Sequence, residues 1–127
     1  MSILFIDKEI ALQIHLDIIT TSGGSHGLRD EGLLESALAK PENLYAYQEV
    51  TLFEMAAAYA EGIALNHAFI DGNKRTAFAV AGIFLSINGI GVKLDQEEIA
   101  EIMVHLATRK ITRTDFANYL EKNATGE

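Results

Sequence analysis

The stretch His67-Ala68-Phe69-Ile70-Asp71-Gly72-Asn73-Lys74-Arg75-Thr76 gathers a base, a carboxylate, a glycine, an amide and two cations within ten residues. An apolar run, Ala77 to Ile87, follows at once and reads as a buried helix. A polar turn that opens a buried helix suits phosphate, because a helix N-terminus presents unpaired N–H groups and a partial positive charge. Gly72 lets a ligand approach the backbone, and Lys74 and Arg75 add full charges at the same spot. His67, in its neutral imidazole form, is able to take a proton from a hydroxyl. Asp71 is a hard oxygen ligand of the kind that Mg²⁺ bridging phosphates requires. Asn73 is suited to cap the helix, to bind phosphate or a target backbone, or to do both. Phe69 is expected to point into the protein and anchor the loop. Each residue also has a plain structural reading: His67 as a capping or packing group, Asp71 as a charge favoured by the helix dipole, Lys74-Arg75 as a solvated first turn.

The elements around this stretch read as nearly all helix. Asp7 looks like an N-cap for a helix carrying Ile10, Leu12, Ile14, Leu16, Ile18 and Ile19; its even positions also fit a strand, but its length favours a helix. Thr20 to Gly27 is expected to be a loop. Asp30 caps a short helix with Leu33, Leu34, Ala37 and Leu38 inward, expected to end before Pro41; Pro41 to Val50 is then a loop or a short hairpin. Thr51 with Glu54 makes a capping box for Leu52 to Leu65, which is apolar on almost every face and so reads as a central helix. Asn73 to Ile87 is the second such helix, stopped by Asn88-Gly89-Ile90-Gly91. Asp95 opens a further helix with Ile99, Ile102, Met103 and Leu106 inward, and Thr112 or Thr114 caps the last, with Phe116, Tyr119 and Leu120 inward. The expected architecture is all-α: a helical bundle around two buried central helices joined by the motif loop, in a single domain over residues 1–127.

Composition narrows the function classes. The 127 residues are 49% hydrophobic and 22% charged, as in ordinary globular domains. A net charge of −8 repels a phosphate backbone, so no nucleic-acid partner is expected, and an anionic small molecule is the better reason for Lys74-Arg75. With no cysteine there is neither a disulfide nor a thiolate metal site. The N-terminus lacks a signal-peptide pattern, and the longest apolar run is about half of the roughly 20 residues that cross a bilayer. The expectation is therefore a soluble cytoplasmic protein with no membrane partner. His15, His26 and His105 are read as packing, surface or structural residues, none spaced to form a metal site with His67. A P-loop is absent, since the second glycine of that motif is missing.

The loop resembles the signature of the Fic/Doc family, His-x-Phe-x-(Asp/Glu/Asn)-(Gly/Ala)-Asn-(Gly/Lys)-Arg, through His67, Phe69, Asp71, Gly72, Asn73 and Arg75. Lys74 stands where the AMP-transferring Fic enzymes have glycine, and this is similar to the death-on-curing (Doc) branch. Chain length and the Gly27-Leu28-Arg29-Asp30 segment are similar to that branch as well. The resemblance implies a toxin of a type II toxin–antitoxin system with a Fic-like helical fold. It implies a protein kinase using ATP and Mg²⁺, with a Ser/Thr hydroxyl of a translation elongation factor as acceptor. In that reading His67, Asn73 and Arg75 are catalytic, Gly72, Asn73, Lys74 and Arg75 hold the nucleotide, and Asp71 holds the metal. Lys74 fills the space that outgoing diphosphate needs in AMP transfer, and Phe78 replaces a second arginine used for that orientation.

The Ser/Thr-x-x-x-Glu-(Gly/Asn) segment of self-restrained Fic enzymes is absent, which implies control by a separate Phd-like antitoxin. Leu44 to Val50, with Tyr45 and Tyr47, is a candidate for the flap that aligns a target peptide by strand pairing; a surface loop is the other reading. Competing functions are AMP transfer at the same site, a metal-dependent nuclease using His67 and Asp71, and a non-catalytic binding module.

Overall fold

The computed structural model describes residues 2–125. Among these, six helices follow one another: α1 (Lys8–Ser22), α2 (Glu31–Tyr47), α3 (Leu52–Asn66), α4 (Asn73–Ile87), α5 (Gln96–Ala107) and α6 (Arg113–Lys122). The all-α expectation holds, and the only extended pairings among the described residues are two isolated antiparallel bridges, Leu28 with Phe69 and Val92 with Ala124.

Helix α3 is the axis of the molecule, packed against α2, α4, α5 and α6. Its start is fixed by the capping box: Thr51 accepts from the Glu54 N–H and Glu54 accepts from the Thr51 N–H. Alanines 56, 57, 58, 60 and 64 are fully buried, so neighbouring helices approach its backbone closely from several sides. Tyr59 is buried with them, and its hydroxyl accepts the Ile6 N–H at 2.9 Å, which ties the segment before α1 to the core. Helix α4 is the second central helix, burying Thr76, Ala77, Val80, Ala81, Phe84 and Leu85. The motif loop thus joins two well-buried helices and inherits their rigidity.

Two boundaries differ from the sequence reading. Thr20, Thr21 and Ser22 belong to α1, where the Thr21 hydroxyl donates back to the Asp17 carbonyl and Gly23 makes the C-cap. Helix α2 runs through Pro41 to Tyr47 instead of stopping before the proline. The residue ahead of a proline is biased away from helix, not barred from it, and here the Pro41 ring is buried in the core alongside Leu34, Ala37 and Leu38. That burial offsets the lost hydrogen bond. Consequently Pro41 to Val50 is neither a hairpin nor, for the most part, a loop. Of the two caps expected for α6, Thr112 is the one used, through a second capping box with Asp115. Among the described residues no helix is long and apolar enough to cross a membrane.

Candidate active site

Helix α3 ends at Asn66, and His67 is its C-cap in the left-handed conformation, with φ 50° and ψ 47°. Such a backbone is uncommon for a residue with a side chain, and His is among those that tolerate it best. The strained end is braced by Arg29, whose Nε donates to the His67 carbonyl at 2.7 Å and whose Nη2 donates to the Asn66 carbonyl at 3.2 Å. These carbonyls are the unpaired acceptors of a helix end, so a guanidinium is well matched to them. The His67 imidazole is left exposed.

The next residues pair with the α1–α2 connection. The Ala68 carbonyl accepts from the N–H groups of Arg29 and Asp30, and the Ile70 N–H donates to the Gly27 carbonyl at 3.0 Å. Phe69 is buried, and its ring stacks on that of His15 with centroids 3.9 Å apart and planes 7° from parallel. The loop is closed from the other side by Asn73. Its Nδ2 donates to the Phe69 carbonyl at 2.9 Å and its Oδ1 accepts the Phe69 N–H at 3.0 Å. The Asn73 amide is therefore spent on holding the loop. It does not cap α4, which starts from Gly72 at φ 75° with no side-chain cap. The N–H groups of the first turn of α4 remain directed at whatever lies before it.

Asp71 stands at this opening. Its Oδ2 accepts the Ser25 N–H at 3.0 Å and its Oδ1 accepts the Gly72 N–H at 2.8 Å. These two backbone donors, Ser25 first, hold the carboxyl below its ordinary range, with Arg75 adding a smaller effect in the same direction. Gly24 is what lets the α1–α2 connection come so close. It has φ +124°, and a Cβ there would stand 2.7 Å from Asp71 Oδ2 and 3.1 Å from Arg75 Nη2. Arg75 clamps the same turn, with Nη1 donating to the Gly23 carbonyl at 3.0 Å and Nη2 lying 4.0 Å from Asp71 Oδ1. Its fork is thus partly committed to the scaffold.

As a metal site, the described residues include no cluster of three His, Cys, Asp or Glu. Asp71 alone fits a hard divalent cation that brings phosphate oxygens and water as its other ligands, and does not fit a dedicated protein cage. Lys74 is exposed and, with Arg75 and Phe78, lines a groove of about 720 Å³ between α1, α4 and α5. Its other walls include Ile18, Val92, Ile99 and Val104.

The six residues singled out in the motif lie on one short loop and helix start, as their spacing requires. His67, Asp71, Lys74 and Arg75 reach its surface, whereas Asn73 turns back into the loop. Two supporting residues escaped the sequence reading. Arg29 was legible only as part of a resemblance, and His15, whose Nε2 lies 2.8 Å from the Asp71 carbonyl, sat among apolar positions that gave no sign of it. The flap assignment is also corrected. Leu44 to Tyr47 is the last turn of α2, and Tyr45 packs against Phe5. At 1.5 Å per residue, Tyr45 lies roughly 20 Å along α2 from the end that meets the motif loop. The extended backbone beside the motif is instead Gly27 to Arg29, which pairs with residues 68–70.

Comparison with known proteins identifies the family. The sequence profile of the Fic/DOC family matches residues 5–85. The chain is 36% identical over 118 residues to "Protein kinase doc" of Escherichia phage P1, covering 92% of this chain and 93% of that protein. It is 40% identical over 103 residues to "Toxin Doc" of Mycolicibacterium smegmatis (strain ATCC 700084 / mc(2)155), covering 73% of this chain and 78% of that one. With a family match spanning the motif and relatives aligned over most of its length, the chain belongs to the Fic/DOC family.

Proposed function

We propose that this protein is a Doc-like toxin that acts as a protein kinase, moving the γ-phosphate of ATP to a Ser or Thr hydroxyl of a translation elongation factor in the cytoplasm. The observation that carries this reading is the uncapped start of α4 beside an exposed His67, with Asp71 at the same opening. The sequence kinship with a Doc protein kinase and a Doc toxin supports it.

In this mechanism the neutral imidazole of His67 accepts the proton of the acceptor hydroxyl as its oxygen bonds to the γ-phosphorus. The bond from that phosphorus to the bridging oxygen breaks, and ADP departs with the electron pair. Backbone N–H groups at the start of α4, together with Lys74 and Arg75, stabilise the charge on the moving phosphoryl group. A single donor of this kind is worth about 3 kcal/mol in related oxyanion sites. Mg²⁺ held by Asp71 and the nucleotide phosphates would neutralise part of the same charge. Asn73 serves catalysis by fixing the loop, and Lys74 disfavours the orientation needed for AMP transfer by occupying the path of the leaving diphosphate.

A separate antitoxin restrains the toxin by laying an apolar segment along the groove between α1, α4 and α5, its acidic end toward Lys74 and Arg75. Val104→Lys on the groove wall should then keep growth arrest but escape rescue by the co-expressed antitoxin; rescue as good as for wild type would remove the assignment.

The decisive experiment is transfer of label from ATP to protein in a cell lysate, comparing γ- with α-labelled nucleotide and wild type with His67→Ala. A single γ-labelled band that depends on His67 is expected. α-Label in its place means AMP transfer, and a nucleotide-independent loss of RNA or DNA means a nuclease.

A further inference from the structure

His15 lies at the centre of α1, and it is buried, 4% exposed, directly behind the motif loop. Its ring is held flat against Phe69, and its Nε2 is 2.8 Å from the carbonyl oxygen of Asp71. A carbonyl only accepts, so this nitrogen carries the proton and donates. The contact fixes more than one oxygen. In a trans peptide the C=O and the following N–H are coplanar and point in opposite directions. Drawing the Asp71 carbonyl inward therefore turns the Gly72 N–H outward, toward the opening where it now meets the Asp71 carboxylate at 2.8 Å. A Cβ built on Gly72 would lie 3.7 Å from His15 Nε2, so the imidazole sits immediately behind the peptide that it orients. Without a donor at this position, the peptide of a left-handed glycine has an easy alternative, since glycine tolerates either orientation.

We propose that His15 is a positioning residue for phosphate transfer: through the Asp71 carbonyl it fixes the Asp71–Gly72 peptide, whose N–H holds the Asp71 carboxylate at the start of α4. The proposal rests on the kinase reading for what is bound there, and on geometry alone for how the peptide is aimed.

Two substitutions separate the donor from the ring. His15→Phe keeps the stack on Phe69 and removes the N–H, whereas His15→Gln gives up the ring and keeps an amide donor at similar reach. We expect His15→Phe to melt close to wild type while losing roughly tenfold in kcat for phosphate transfer from Mg-ATP, on the order of one hydrogen bond. His15→Gln should recover most of that rate. Equal rates for wild type and His15→Phe, or no recovery in His15→Gln, overturn the proposal. A second readout needs no activity: the ¹⁵N-labelled Gly72 amide resonance should move in His15→Phe and return toward its wild-type position in His15→Gln. If the wild-type protein transfers no phosphate, the kinase reading fails, and the Gly72 resonance alone decides the role of His15. An unmoved resonance then overturns it.

Discussion

At the scale of the residue, the site combines backbone strain with exposed chemistry. His67 holds a left-handed backbone at φ 50° and relies on Arg29 to stay there. Glycine takes that conformation without cost, whereas a side chain costs about 1 kcal/mol. His67→Gly is therefore expected to leave the melting temperature unchanged or slightly raised while abolishing phosphate transfer, as measured by calorimetry and by labelling on the same preparation. A clear loss of stability would mean that the imidazole is a structural group. Asp71 supplies the pH test. Its carboxyl is held below the ordinary range by the Ser25 and Gly72 N–H groups, so its stabilising contribution is complete above about pH 4. As the pH falls through the lowered value the contribution disappears. The stability gap between wild type and Asp71→Asn should accordingly be constant from neutral pH down to about 4 and close below it.

At the scale of the element, side-chain caps mark where α1, α2, α3, α5 and α6 begin, whereas the end of α2 is decided by packing. Thr51→Ala breaks the capping box of α3 and is expected to cost about 1 kcal/mol, lowering the melting midpoint by about 4 °C with the transfer rate at 25 °C unchanged. The starts of α1, α2, α3 and α5 were legible because Asp7, Asp30, Thr51 and Asp95 each accept a backbone N–H just as their side chains suggest. The end of α2 was not. Proline is a local signal, and the burial that overrides it at Pro41 is a property of the assembled core. The same limit hid the partner of the motif loop: a bridge between Leu28 and Phe69 spans distant parts of the sequence and leaves no periodic trace. The grouping of the motif residues was legible, because residue types within a few positions of one another must meet on a helix start, but the turn of Asn73 back onto Phe69 was not. Nor was the scaffold, because His15 is offered as one more position on an apolar helix.

At the scale of the whole molecule, the core reaches from the segment before α1 to α6 by way of α3, and Tyr59 of that helix ties Ile6 into it. Burial pushes the Tyr59 hydroxyl up to about 12, while the hydrogen bond from Ile6 acts the other way. A raised pKa contributes stability that is complete below about 10, the ordinary tyrosine value, and is lost as the pH rises toward the folded value, amounting to about 2–3 kcal/mol. Tyr59→Phe should flatten that alkaline decline, while costing about 1–2 kcal/mol at pH 7 because the buried Ile6 N–H loses its acceptor. An alkaline decline of the same size in wild type and variant would show that other groups govern it. A different consequence follows from how the motif loop is fastened. His15 grips the Asp71 carbonyl, Arg29 the carbonyls of Asn66 and His67, Arg75 the Gly23 carbonyl, and Asn73 both main-chain groups of Phe69. Every one of these fastenings joins a side chain to the main chain. A main-chain group has no alternative identity, so a loss at 15, 29 or 73 has no second-site partner whose exchange could restore it. Suppressor screens against the loss of these hydrogen bonds should return revertants at the same codon, and paired variation among relatives should be silent about them while still reporting the His15–Phe69 stack.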